Sequence, residues 1–106
     1  MDKIIKRVIE FRDKRNWKQF HSPQNLSKSI MIEAAELLQN YQCRHEPESI
    51  DNVKDEIADV LIYCILLCEH YNFDLETIIN HKIDKNEKKY PVEKAYGKSD
   101  KYNNLL

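Results

Sequence analysis

Two stretches of the chain repeat one helical pattern, and each carries a pair of acids beside its apolar stripe. Ile30, Glu33, Ala34, Glu36, Leu37, Leu38 and Tyr41 hold the same relative places as Val53, Glu56, Ile57, Asp59, Val60, Leu61 and Cys64. Residues three and four apart share a helix face, so Glu33 projects with Glu36, and Glu56 with Asp59. At roughly 100° per residue both pairs border the apolar stripe. Packed antiparallel through those stripes, the two helices would bring four carboxylates to the rim of one shared core. Such groups repel one another unless some are protonated or cations lie between them. A hard divalent ion that takes oxygen ligands, such as Mg²⁺, suits that position. A single Glu-x-x-Glu fits an ordinary solvated face in a chain that is 33% charged. The paired repeat on the stripe edges fits either such a face or a shared metal.

The rest of the sequence supports helices on either side of this pair. With 106 residues, one Gly and three Pro, the composition favours an all-α single domain spanning residues 1–106, built as a four-helix bundle. A first helix is expected from Asp2 to about Asn16, with Ile4, Ile5, Val8, Ile9 and Phe11 as its stripe and Lys3, Lys6, Arg7, Arg12 and Arg15 outside it. Ser22-Pro23 reads as an N-cap followed by Pro in the first turn, opening a second helix to about Gln42. Ser49 caps a third, roughly Ile50 to Tyr71, and Asp74 a fourth, Leu75 to about Lys89, which Pro91 stops. Residues 92–106 read as a partly ordered tail. From Val60 to Cys68 the third helix is apolar on every side and must be covered on every side. We therefore expect it to bury against another subunit.

Charge and cysteine usage narrow the function classes. Seventeen basic and 18 acidic residues leave a formal charge of −1, so no net field recruits polymeric nucleic acid or an anionic membrane. Cys43, Cys64 and Cys68 lack metal-finger spacing and fit free thiols in a reducing compartment. The opening Met-Asp-Lys-Ile-Ile-Lys is too charged for a secretory leader, and the apolar run is shorter than the roughly 18 residues of a membrane span. A cytoplasmic protein is expected. Lys82, Asn86 and Lys89 share a face that can meet phosphate oxygens, though the same spacing also suits a solvated basic face. Trp17, Phe20 and His21 can stack on a nucleobase or simply pack beneath a loop. A di-iron bundle would need Glu-x-x-His pairs, and none of His21, His45, His70 or His81 stands three residues after a Glu.

Three ordered blocks carry a family resemblance. Glu33-Ala-Ala-Glu36-Leu-Leu, Asp55-Glu56-Ile-Ala-Asp59-Val-Leu-Ile-Tyr and Lys82-Ile-Asp84-Lys-Asn86-Glu-Lys-Lys-Tyr90-Pro91 resemble the all-α nucleoside triphosphate pyrophosphohydrolases of the MazG-like type. Trp17-Lys-Gln-Phe20-His21-Ser-Pro-Gln-Asn25-Leu is similar to the small single-domain branch that includes the dCTP pyrophosphatases, and the likeness extends to Lys101-Tyr102. The resemblance implies a homodimer or homotetramer that splits a nucleoside triphosphate into the monophosphate and pyrophosphate, with pyrimidine deoxynucleotides favoured. It implies that Glu33, Glu36, Glu56 and Asp59 hold Mg²⁺, with Mn²⁺ a substitute, and form the catalytic centre. Glu36 is the choice for activating the attacking water, with Glu33 as the alternative. Lys82, Asn86 and Tyr90 would contact phosphate and sugar, and Trp17, His21 and Asn25 the base. Cys43 departs from the pattern, since many relatives carry Trp there. A non-catalytic helical module binding a nucleotide or a protein is the competing expectation.

Overall fold

The computed structural model describes residues 1–99. Every regular element among them is helical: α1 (Asp2–Lys14), a 3-10 turn (Lys18–Phe20), α2 (Pro23–Gln39), α3 (Ile50–His70), α4 (Leu75–Lys89) and α5 (Val92–Ala95). Lys101-Tyr102 lies outside the described residues. None of these helices is long and apolar enough to cross a membrane. The chain divides into two compact units, Met1–Asn72 and the part from Phe73 onward.

The three N-caps expected from the sequence form. The Ser22 hydroxyl accepts from the Asn25 amide at 3.1 Å with Pro23 behind it, and Ser49 accepts from Asn52 at 3.2 Å. The Asp74 carboxylate takes the Thr77 amide at 3.0 Å and its hydroxyl at 2.6 Å, which holds its pKa below the ordinary carboxylate value. Each satisfies an amide that the first helical turn would otherwise leave bare. At the other end of α1, the Trp17 amide donates to the Arg12 carbonyl and the Asn16 amide to that of Asp13. This six-to-one and five-to-two pairing needs a left-handed residue between, usually Gly. Asn16, at φ 54°, supplies it, and Asn72, at φ 60°, does so after α3. Asn tolerates that region through its short polar side chain.

In the first unit α2 and α3 run antiparallel. Leu26 and Leu66 line one cavity, Glu33 lies beside Glu56 and Asp59, and the Asn40 amide donates to Asn52 at 2.8 Å, so positions rising along α2 meet positions falling along α3. Leu26, Ile65 and Leu66 are the buried apolar centre, each side chain contributing about 1.5–3 kcal/mol by leaving water. α2 stops three residues before the expected Gln42. The chain turns through Asn40, buried and bonded both to Asn52 and to the Glu48 amide, and Cys43 takes φ 58°, which ends any helix.

Burial departs from the expected stripe in α1. Ile5, Val8 and Ile9 are half-buried, but Ile4 and Phe11 are about half exposed, and Arg12, expected outside, is 3% exposed. Its guanidinium reaches Glu69 of α3 at 2.6 Å and Asp13 at 2.8 Å. In α3, Ile65 and Leu66 are buried, while Leu61 is 54% exposed within this chain. The second unit holds α4 and the single turn α5, the latter within the stretch expected to be tail.

Candidate active site

The α2–α3 seam gathers acids where the sequence pattern places apolar residues. Glu56 is 7% exposed, whereas its neighbour Ile57 is 46% exposed. Glu33 is half-buried, and Ala34 faces water. The four carboxylates were expected at the rim of the core, but Glu56 lies inside it. The helices are turned so that their acidic edges meet and part of each apolar stripe points away. α3 is apolar over more than one face, so its pattern leaves this rotation open.

Glu33, Glu56 and Asp59 each offer an oxygen within 4.8 Å of the others. Glu36, half-buried on the next turn of α2, adjoins the cluster through Glu33. The Oε2 atoms of Glu33 and Glu56 are both shut off from water without a donor. As two carboxylates they have nothing to share. A proton on Glu33 would give it a hydrogen bond to Glu56, and this is the largest reason its pKa is pushed up to about 7; burial, a hydrogen bond to Glu36, and the charges of Glu36 and Asp59 add to it. A divalent cation answers the same need, since the donor set is wholly carboxylate oxygen and two of its buried oxygens lack any other partner.

The residues expected on the base side sit around the turn between α1 and α2. Trp17 is exposed and meets Phe11 edge to face at 5.7 Å, while the Arg15 guanidinium lies 3.7 Å from the Phe11 ring centre. His21 is half-buried, 6.5 Å from the ring centre of Tyr63 on α3. Its Nδ1 is buried without a partner, and burial, then the Arg12 charge, lowers its pKa. Asn25 turns its amide to the Phe20 carbonyl at 3.0 Å, so its side chain secures the turn. Lys82, Asn86 and Tyr90 belong to the second unit, the first two one turn apart on α4 and Tyr90 at its C-cap. Lys82 is exposed, and Asn86 and Tyr90 are half-buried.

Arg12, Tyr63 and Glu69 were not singled out by sequence reasoning. Arg12 and Glu69 stand 57 positions apart, and nothing local marks two charged residues as partners across that distance. The only sequence signal was Glu69 itself, an acid that closes the apolar run of α3.

The family model of the MazG-like family matches residues 28–105. Over 114 aligned residues the chain is 32% identical to dCTP pyrophosphatase 1 of Rattus norvegicus, covering 99% of this chain and 67% of that protein. The same values hold for dCTP pyrophosphatase 1 of Homo sapiens. A solved pyrophosphatase structure from Archaeoglobus fulgidus matches with a TM-score of 0.77 at 39% identity, over 86% of this chain and 92% of the other.

Proposed function

Since the chain belongs to the MazG-like family and is a nucleotide pyrophosphohydrolase, we propose that it cleaves deoxynucleoside triphosphates between the α- and β-phosphates in a Mg²⁺-dependent reaction, favouring pyrimidines of the dCTP type. The supporting observation is the meeting of Glu33, Glu56 and Asp59 in the α2–α3 seam with two buried oxygens unpartnered. These three, with Glu36 beside them, would hold the metal. When bound, Mg²⁺ supplies neutralisation of the triphosphate charge and a water of lowered pKa. Glu36, or Glu33 in its place, would accept the proton of the attacking water at its carboxylate. The water oxygen bonds to the α-phosphorus, the bond from that phosphorus to the bridging oxygen breaks, and pyrophosphate leaves. Lys82, Asn86 and Tyr90 take the phosphates and sugar, and Lys82 meets the charge developing on the leaving group. Trp17 and His21 serve the base from the turn that Asn25 secures. Scavenging of unwanted nucleotides in the cytoplasm is the role that fits this chemistry.

The same reading includes assembly into homodimers or homotetramers. Met31, Ala34, Ala35 and Leu38 form an exposed stripe at helical spacing on α2, and Ile57 and Leu61 one on α3. Apolar area of this kind is what a second copy covers. Assaying dCTP with Mg²⁺ should yield dCMP and pyrophosphate, and Glu36→Gln should lower the rate by about 100-fold or more with helix content unchanged. Release of orthophosphate, or full activity in the variant, would overturn the proposal.

A further inference from the structure

The first unit contains a cavity of about 280 Å³ that reaches past His21 to charged residues not yet given a role. Its lining includes Arg12 at the end of α1, Gln19 of the 3-10 turn, His21 and Leu26 at the start of α2, and Leu66 and Glu69 of α3. Leu26 and Leu66 are buried apolar residues, and the other four are polar. An apolar bed with a few fixed polar groups, near the lower end of ligand-pocket sizes, is how small flat molecules are held. The placement is also informative. Leu26 precedes Glu33 by seven residues on α2, and Leu66 follows Asp59 by seven on α3, so both sit on the acid-bearing face, two turns or about 10 Å along the hairpin. A substrate with its phosphates at the carboxylates and its long axis along the seam in this direction would reach the cavity with its other end.

The polar groups have specific unmet capacity. Glu69 gives Oε2 to Arg12 at 2.6 Å, and its side chain keeps 27% of its surface open, leaving Oε1 to accept from a ligand. His21 Nδ1 is buried without a partner. The Gln19 amide nitrogen is taken by the Asn16 carbonyl at 2.9 Å, which leaves its oxygen.

Resting on the reading of the chain as a deoxynucleotide pyrophosphohydrolase, we infer that this cavity receives the nucleobase and that Glu69, fixed by Arg12, is the specificity-determining residue. Its carboxylate accepts from the exocyclic amino group of a cytosine-like base. A thymine or uracil would turn a carbonyl oxygen toward that carboxylate, and two acceptors facing each other without a proton reject the ligand. The buried ion pair thus keeps Glu69 charged and aimed, so that one amino group decides between bases.

The test compares wild type with Glu69→Gln and with Arg12→Met/Glu69→Met, which removes both charges together and strands neither. Turnover of dCTP and dTTP gives the first readout. Glu69→Gln should raise KM for dCTP about tenfold, the loss of one hydrogen bond to a charged acceptor, with kcat little changed and dTTP no worse. The double variant should lose the discrimination in the same way. The second readout needs no catalysis: deoxycytidine, without metal, should shift the His21 ring resonances in NMR, and thymidine should not. If dCTP is hydrolysed but neither variant alters the preference, or if deoxycytidine leaves His21 untouched, the cavity assignment is wrong and the hydrolase reading stands. If no triphosphate is cleaved by the wild type while deoxycytidine still shifts His21, the hydrolase reading fails and the cavity remains a base site.

Discussion

The two ends of the α2–α3 hairpin treat buried charge in opposite ways. At one end Arg12 is sealed against Glu69 and Asp13, each carboxylate within 2.8 Å of its guanidinium. Burial works against that charge, but the hydrogen bonds and charges of the two acids outweigh it and raise the Arg12 pKa. At the other end Glu33, Glu56 and Asp59 bring like charges together, and Glu33 is driven toward neutrality. Both arrangements cost desolvation, yet only the first repays it within the chain. The difference separates charges that hold one another in place from charges that repel, and the repelling set is the one to which we assign the metal.

The sharpest way to break this contrast is Glu56→Gln. Activity should fall by roughly 100-fold or more, a loss of the size seen when a single charge-stabilising group is removed. The metal-free protein should meanwhile melt higher, because a repelling charge has gone. A lower melting temperature in chelator would mean that the acids support the fold. Arg12→Met tests the other end, where loss of one partner of a well-buried pair costs about 3–5 kcal/mol. Glu69 is partly open to water, so a smaller loss of roughly 2 kcal/mol is expected in urea unfolding.

These two outcomes bear on what the sequence discloses. The helices were legible because their start signals are local: Ser22-Pro23, Ser49 and Asp74 each act within three residues. The early end of α2 was not, since it depends on Asn40 finding Asn52 and on Cys43 adopting a left-handed backbone. The acids of the site were legible as a repeat. Their position inside the seam was not, because Ile57 and Glu56 compete for one interface and the periodicity of α3 fits either. Arg12 looked like a surface residue until a partner from α3 reached it.

A pH series sharpens the contrast further. Glu33 moves from an ordinary 4.5 to about 7 in the folded chain. A raised acid favours folding while protonated, so its contribution is whole below pH 4.5, declines as pH rises, and is gone above about pH 7. Metal-free melting temperatures should therefore drop across that window, and Glu33→Gln should flatten the drop. Divalent metal affinity should climb over the same range, as binding no longer displaces a proton. The smallest effect is expected away from both ends. Ser22→Ala removes one N-cap bond and should cost about 1 kcal/mol without changing metal affinity.

The antiparallel pairing of α2 with α3 also governs where the chain can change length. One residue added inside either helix between the cap and the acids would swing everything beyond it by roughly 100°, carrying a carboxylate out of the seam. The turn from Asn40 to Ser49 has no such phase to keep, provided that Asn40 still reaches Asn52. Between the two acid pairs, that bend is therefore where a length change does least harm, and the spacing within Glu33–Glu36 and Glu56–Asp59 is what the geometry holds fixed.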